Sequence, residues 1–457
     1  MAKATVRFVC QSCGAEYSKW MGKCTSCGEW NTIVEEMVVA PVKNQKHRSW
    51  LAKPSGDSVP IAITEVASLA EERIATGIDE LDRVLGGGIV PGSLGLLGGE
   101  PGVGKSTLLL QVAAHIANQR GKVLYVSGEE SPSQLRLRAQ RLGLLNANLQ
   151  VLAEANAAVI GQHIESLTPE LVLIDSIQTV YLDELDSAPG SVGQVREGAA
   201  FFLKLAKSLG IPIILVGHVT KGGSFAGPKV LEHAVDYVLY FESGSHLTLR
   251  IIRSVKNRFG STNEVGIFAM TGRGLLPVEN PSGIFLAERP KHSSGSVVVP
   301  CLEGTRPLLV EIQSLVAHTP FNGTPRRQAT GVDYQRFSII LAVLEKRQGY
   351  QLYNQDVFVN VAGGFKLTEP GVDLGIACAV ASSYRNQVVD PETAVIGEIG
   401  LSGEIRAVQQ LDIRVRELAK LGFKRVIIPA SNSLDVQPIQ VVRVRTISEA
   451  LQSVFDL

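Results

Sequence analysis

Strand-like apolar runs alternate with helical segments from about residue 60 to 280, the pattern of an α/β domain built on a largely parallel sheet. The predicted strands are 94–98, 123–127, 149–153, 171–175 and 211–216. Three further runs, 238–241, 248–254 and 265–270, read as strands joined by short turns. A Pro/Gly/Ser-rich stretch at 280–300 marks a boundary, after which strands and helices resume to residue 457. Residues 34–58 have little apolar periodicity and carry Pro41, Lys43, Pro54, Ser55 and Gly56, as a linker does. The expected organisation is therefore a cysteine-rich unit at 1–33, a linker at 34–58, an α/β domain at 59–285 and a third domain at 286–457.

Composition narrows the class without naming a function. The 457 residues are 45% hydrophobic and 19% charged, as in a folded globular protein. No run approaches the roughly 18 apolar residues that span a bilayer, so no membrane partner is expected. The first residues, MAKATVRFVC, lack a secretion signal, which makes a cytoplasmic location the expectation. Lys plus Arg and Asp plus Glu both number 44, so any nucleic-acid surface must be a local patch.

Four of the six cysteines fall in the first 27 residues, as the pairs Cys10/Cys13 and Cys24/Cys27. Two CxxC turns deliver four thiolates to one tetrahedral Zn2+, a closed and hence structural site. A unit this small has too little core to fold without its metal. A redox pair is the alternative. Cys301 and Cys378 are solitary and read as core.

The segment Gly99-Glu100-Pro101-Gly102-Val103-Gly104-Lys105-Ser106 fits GxxxxGK[ST], follows a predicted strand and opens a helix at Thr107. Such a loop cradles the phosphates of ATP. Lys105 reaches the β and γ phosphates and Ser106 offers a hydroxyl to Mg2+. The apolar run 171–174 ends in Asp175, as a second Mg2+ ligand should be placed. Two carboxylates, Glu129 and Glu130, lie just past the strand 123–127, and Glu129 is the expected base with Glu130 the other choice. His218, at the end of a strand, is either a γ-phosphate sensor or a structural histidine.

These segments, with LVLIDS and GHVTKGG, resemble the RecA/DnaB class of ring and filament ATPases. The cysteine ribbon and Lys256-Asn257-Arg258-Phe259-Gly260 narrow the resemblance to the bacterial RadA (Sms) family, over essentially the whole chain. The fold class implied is a zinc ribbon, a RecA-like P-loop core with a mainly parallel sheet, and an α+β Lon-protease-like domain. The resemblance makes Lys256 and Arg258 fingers acting on a neighbouring subunit's nucleotide, against the alternative of a solvated basic turn. It makes 186–196, with Arg196, and the stretch after His218, with Lys221 and Lys229, DNA-facing loops. It also implies a homo-hexameric ring, single-stranded and branched DNA as substrates, RecA as a partner, and a role in recombination by branch migration.

Residues from about 296 resemble the proteolytic domain of Lon through GVDLGIA (371–377) and GEIGLSGEI (397–405). The nucleophile position holds Asp373 and the lysine position Asp412, so peptide cleavage is not expected. Assembly and DNA binding are the expected roles, with Arg306, Arg326, Arg327, Arg336, Lys346 and Arg347 available for DNA. Two other functions fit parts of the pattern: a KaiC-like nucleotide-controlled switch, and an ATP-dependent protease.

Overall fold

The computed structural model describes residues 4–10, 15–26, 28–39, 64, 73–218, 230–243, 249–290, 292–319, 323–364, 366–434 and 439–455. Cys13, Cys27, Lys221 and Lys229 lie outside the described residues. The chain divides into two compact units, 1–243 with 248–277, and 278–457 with 244–247.

The first unit opens with a small antiparallel sheet of β1 (Ala4–Cys10), β2 (Glu16–Tyr17) and β3 (Ile33–Val39), in the order β2-β1-β3. The helix α1 (Asp79–Leu85) precedes the main fold: β4 (Leu94–Gly99), α2 (Lys105–Gln119), β5 (Val123–Ser127), α3 (Pro132–Leu142), β6 (Leu149–Ala153), α4 (Ala157–Leu167), β7 (Leu171–Asp175), α5 (Val192–Leu209) and β8 (Ile213–His218). A short helix α6 (Val230–Ala234) leads into β9 (Tyr237–Ser243), β10 (Leu249–Asn257), β11 (Val265–Thr271) and β12 (Gly274–Pro277). The sheet has nine strands in the order β12-β11-β10-β9-β4-β8-β7-β5-β6. From β9 to β6 neighbours run parallel; β10, β11 and β12 extend it antiparallel.

Alternation along the central strands divides the interior in two. Val123 and Tyr125 of β5, with Leu171 and Leu173 of β7, pack with α2 on one face. Leu124 and Val126, with Val172 and Ile174, pack with α4 and α5 on the other. Successive side chains on a strand point to opposite faces, so runs apolar at every position are what a sheet covered on both sides requires. Helix limits follow local chemistry. The Ser131 and Gln134 side chains form a capping box ahead of Pro132, and left-handed Gly143 ends α3. Ser191 caps α5, which places Arg196 within a helix instead of the expected loop; there it pairs with Glu197 at 3.1 Å.

The second unit begins with α7 (Pro281–Leu286), which packs on β14. The division therefore falls after Pro277, ahead of the expected 285/286, because this helix belongs to the second core. Then come β13 (Ser296–Glu303), β14 (Arg306–His318), β15 (Arg327–Thr330), α8 (Tyr334–Gln348), β16 (Gln355–Val361), α9 (Asp373–Arg385), β17 (Thr393–Val395), β18 (Glu398–Ile399), β19 (Ile405–Arg406), α10 (Leu411–Lys420), β20 (Arg425–Pro429), β21 (Gln440–Val444) and α11 (Ile447–Phe455). Seven strands form a mixed sheet, β15-β16-β14-β13-β17-β20-β21. The helix α9 is buried from Asp373 to Ser382 and lies on β13 and β14. A Cβ on Gly375 would come within 2.1 Å of Val299 Cγ1, so this glycine sets how closely α9 approaches the sheet.

Arg414, 2% exposed, donates to both carboxylate oxygens of Glu369 and to the carbonyls of Pro300 and Gln409. Removing one partner of a buried pair strands the other. Arg414→Ala is expected to lower the stability of the second unit by about 3–5 kcal/mol in urea unfolding. A loss below about 1 kcal/mol would rank the pair with surface bridges.

Candidate functional site

The glycine-rich loop joins β4 to α2, and α2 has no acid in its first turn, so its positive N-terminal end faces any bound anion undiminished. Gly104 precedes the helix at φ +116°, and a Cβ there would come within 2.6 Å of Met270 Cε. Lys105 is buried, and its Nζ donates to the carbonyls of Gly99 at 2.7 Å and Glu100 at 3.0 Å. Burial lowers its proton affinity, while the charges of Asp175 and Glu129 raise it again.

Parallel pairing brings the other groups to the same edge. Asp175 ends β7 as the register partner of Ser127, and His218 ends β8 as the partner of Gly99. Glu129 and Glu130, adjacent in sequence, are separated by their contacts. Ser176 Oγ donates to Glu129 Oε1 at 2.7 Å, beside Asp175, and Glu129 acts electrostatically on Lys105. Glu130 is drawn to α3, where Arg138 donates to its Oε1 at 2.5 Å. Sequence reasoning missed Ser176 and Arg138, and also Tyr125, whose hydroxyl donates to Asp175 Oδ2 at 2.6 Å. The available signal was a phenol in the otherwise apolar run VLYV.

Lys256 and Arg258 are not among these groups. Lys256 lies within β10 and donates to the carbonyls of Glu232 at 2.7 Å, His233 at 3.3 Å and Val235 at 2.7 Å, at the C-terminal end of α6. Cations are favoured there, where helix carbonyls lack partners. Arg258 approaches Asp236 at 3.4 Å. Within one chain both therefore brace the junction of α6 and β9.

In the ribbon, Cys10 and Cys24 are buried in one cluster with Ile33. Cys10 N–H donates to the Ala15 carbonyl at 2.9 Å and Cys24 N–H to that of Glu29 at 2.8 Å, each five residues on. Hydroxyls of Thr32 and Tyr17 lie 3.2 and 3.1 Å from the two sulfurs, placed to donate to thiolates. This repeated geometry fits zinc held by four cysteines, though two of the expected four lie outside the described residues. Cys301 and Cys378 are buried, and burial pushes the Cys378 thiol up to about 12, as expected of core residues.

In the second unit Asp373 is the first residue of α9 and is 1% exposed. Arg336 donates to both its oxygens, and the Ile399 N–H donates to Oδ2 at 3.1 Å. Burial raises the Asp373 carboxyl above the usual range, and Arg336 draws it back. Asp412 lies in the first turn of α10. Arg336 is thus committed within the chain, as are Arg327, on the carbonyls of Gln355 and Leu352, and Arg306, on those of Val278 and Glu279. These three are not the loose basic side chains that the sequence suggested for DNA.

A phosphate loop, a strand-end aspartate and a neighbouring glutamate on one edge of a parallel sheet define a P-loop ATPase with a RecA-like core. A family model for an AAA domain matches residues 63–224, in keeping with this core; a rubredoxin metal binding domain matches 8–35 and subunit ChlI of Mg-chelatase 326–432. The chain belongs to the DNA repair protein RadA family. It is 56% identical over 455 residues to the member from Halalkalibacterium halodurans, covering 99% of each chain, and 53% identical over 457 residues to that of Bacillus subtilis, again covering 99% of each. Among solved structures, the RadB recombinase is 26% identical and covers 45% of this chain and 99% of that one, at a TM-score of 0.37. No helix among the described residues is long and apolar enough to cross a membrane.

The native protein is expected to contain stoichiometric zinc by elemental analysis, and Cys24→Ser to lose it. Native protein free of zinc would contradict the ribbon assignment.

Proposed function

We propose that this chain is a DNA-dependent ATPase that acts as a helicase in homologous recombination and repair, driving branch migration as a ring on single-stranded DNA. The observation that carries the chemistry is the convergence of Lys105, Asp175 and Glu129 at one sheet edge, with Glu129 oriented by the Ser176 hydroxyl. Residues 99–107 would bind the nucleotide. Lys105 would leave the carbonyls of Gly99 and Glu100 for the β and γ phosphates, a stronger charge-assisted contact. Ser106 and Asp175 would hold Mg2+, which neutralises charge developing on the transferred phosphoryl group. Glu129 would accept the proton of the attacking water, and its carboxylate is supported in that role over Glu130, whose Oε1 is engaged by Arg138.

The family name and the resemblance support DNA as the target, with RecA as partner and a hexamer as the assembly. In such a ring Lys256 and Arg258 would exchange their contacts on α6 and Asp236 for the nucleotide of the next subunit. His218, a register partner of the phosphate loop, is suited to report the γ-phosphate to the stretch that follows it, with Lys221 and Lys229 toward DNA. Arg196 is less suited to a DNA loop, since it lies in α5. The second unit would serve assembly rather than proteolysis, because the buried Asp373 carboxylate is no nucleophile for peptide cleavage.

Steady-state ATPase assays with and without single-stranded DNA test this directly. DNA should stimulate the native rate. Glu129→Gln should lose on the order of a hundredfold or more, and Glu130→Gln should keep most activity. A rate indifferent to saturating DNA would favour a nucleotide-controlled switch over a motor.

A further inference from the structure

Tyr125 has no part in the chemistry above, yet its hydroxyl touches Asp175, a side chain assigned to the divalent cation. The strand β5 turns Tyr125 toward the core beneath α2, where it is fully buried. A phenol in that position must find partners, since a buried hydroxyl without one is destabilising. Its hydroxyl donates to Asp175 Oδ2 at 2.6 Å, so one phenol ties β5 to the end of β7.

We propose that Tyr125 is a positioning residue for the cation site, fixing the direction in which Asp175 presents its carboxylate. The Tyr125 proton goes to Oδ2, and a carboxylate held at one oxygen keeps its orientation when a cation approaches. Supporting contacts of this kind orient metal ligands and are costly to lose. The inference rests on the nucleotide site described under Proposed function.

The test is equilibrium binding of a fluorescent ADP analogue to native protein and Tyr125→Phe, in EDTA and across a Mg2+ titration. Phenylalanine keeps the ring and removes only the hydroxyl, and circular dichroism reports whether the fold survives. The affinity in EDTA should agree within about twofold, while the Mg2+ concentration giving half of the Mg2+-dependent tightening should rise about tenfold or more, as loss of a hydrogen bond to a charged group implies. In an Asp175→Asn background the same substitution should add little, because the charged acceptor is already gone. An unchanged Mg2+ midpoint, or an equal further shift in that background, would overturn the proposal. A second measurement needs no variant: with ζ-13C-labelled tyrosine in the native protein, one tyrosine resonance should move when Mg2+ is added to the nucleotide complex. If none moves, the proposal falls. Native protein that shows no Mg2+-dependent nucleotide binding would remove the nucleotide reading itself, an outcome distinct from a native response that Tyr125→Phe shares.

Discussion

A positive charge buried at the edge of an apolar sheet is the constraint from which the first unit's site follows. Taking an ammonium group out of water costs on the order of several kcal/mol, and the cost is met only by carbonyls and opposite charges close by. Lys105 has the carbonyls of Gly99 and Glu100 and the charges of Asp175 and Glu129. Those groups can reach it because β4, β7 and β5 lie in one parallel array, with Ser127 level with Asp175. An antiparallel arrangement would have sent alternate strand ends to opposite edges. Phosphate oxygens are better partners for Lys105 than neutral carbonyls, so the loop is suited to an anion.

The second unit buries charge to a different end. Asp373 and Arg336, like Glu369 and Arg414, satisfy each other inside the chain. A carboxylate held by a guanidinium and a backbone N–H is stable and unreactive toward carbonyl carbon. The first core leaves charges turned toward a ligand, whereas the second spends them on its own packing.

Much of the first unit was legible because its signals are local. The strands 123–127 and 171–175 are buried almost throughout and apolar up to Ser127 and Asp175 at their ends, as a sheet covered on both sides requires; they and the more exposed edge strand 149–153 lie where the runs predicted. The phosphate loop is a contiguous motif. The choice between Glu129 and Glu130 was not legible, because it turns on Ser176 and Arg138, which come from other elements. Lys256 reads from its sequence as a finger or as part of a basic turn, since nothing near it in sequence reveals the carbonyls of α6 that it caps. Arg336 and Arg306 have partners hidden in the same way: the carboxylate and carbonyl that hold them lie far off in sequence. The Gly/Ser-rich stretch 186–196 reads as a loop up to Arg196, since the Ser191 cap that starts α5 is one small residue among several.

The central claim is that Lys105 is buried for the sake of a phosphate rather than for the fold. Lys105→Met replaces the ammonium with an apolar chain of similar length. Nucleotide affinity of this variant, measured together with the melting temperature of the nucleotide-free protein, tests the claim most directly. Affinity should fall by about tenfold to a hundredfold while the nucleotide-free melting temperature stays level or rises, since a costly buried charge is gone. Retained affinity with a lowered melting temperature would contradict it and make Lys105 a structural residue.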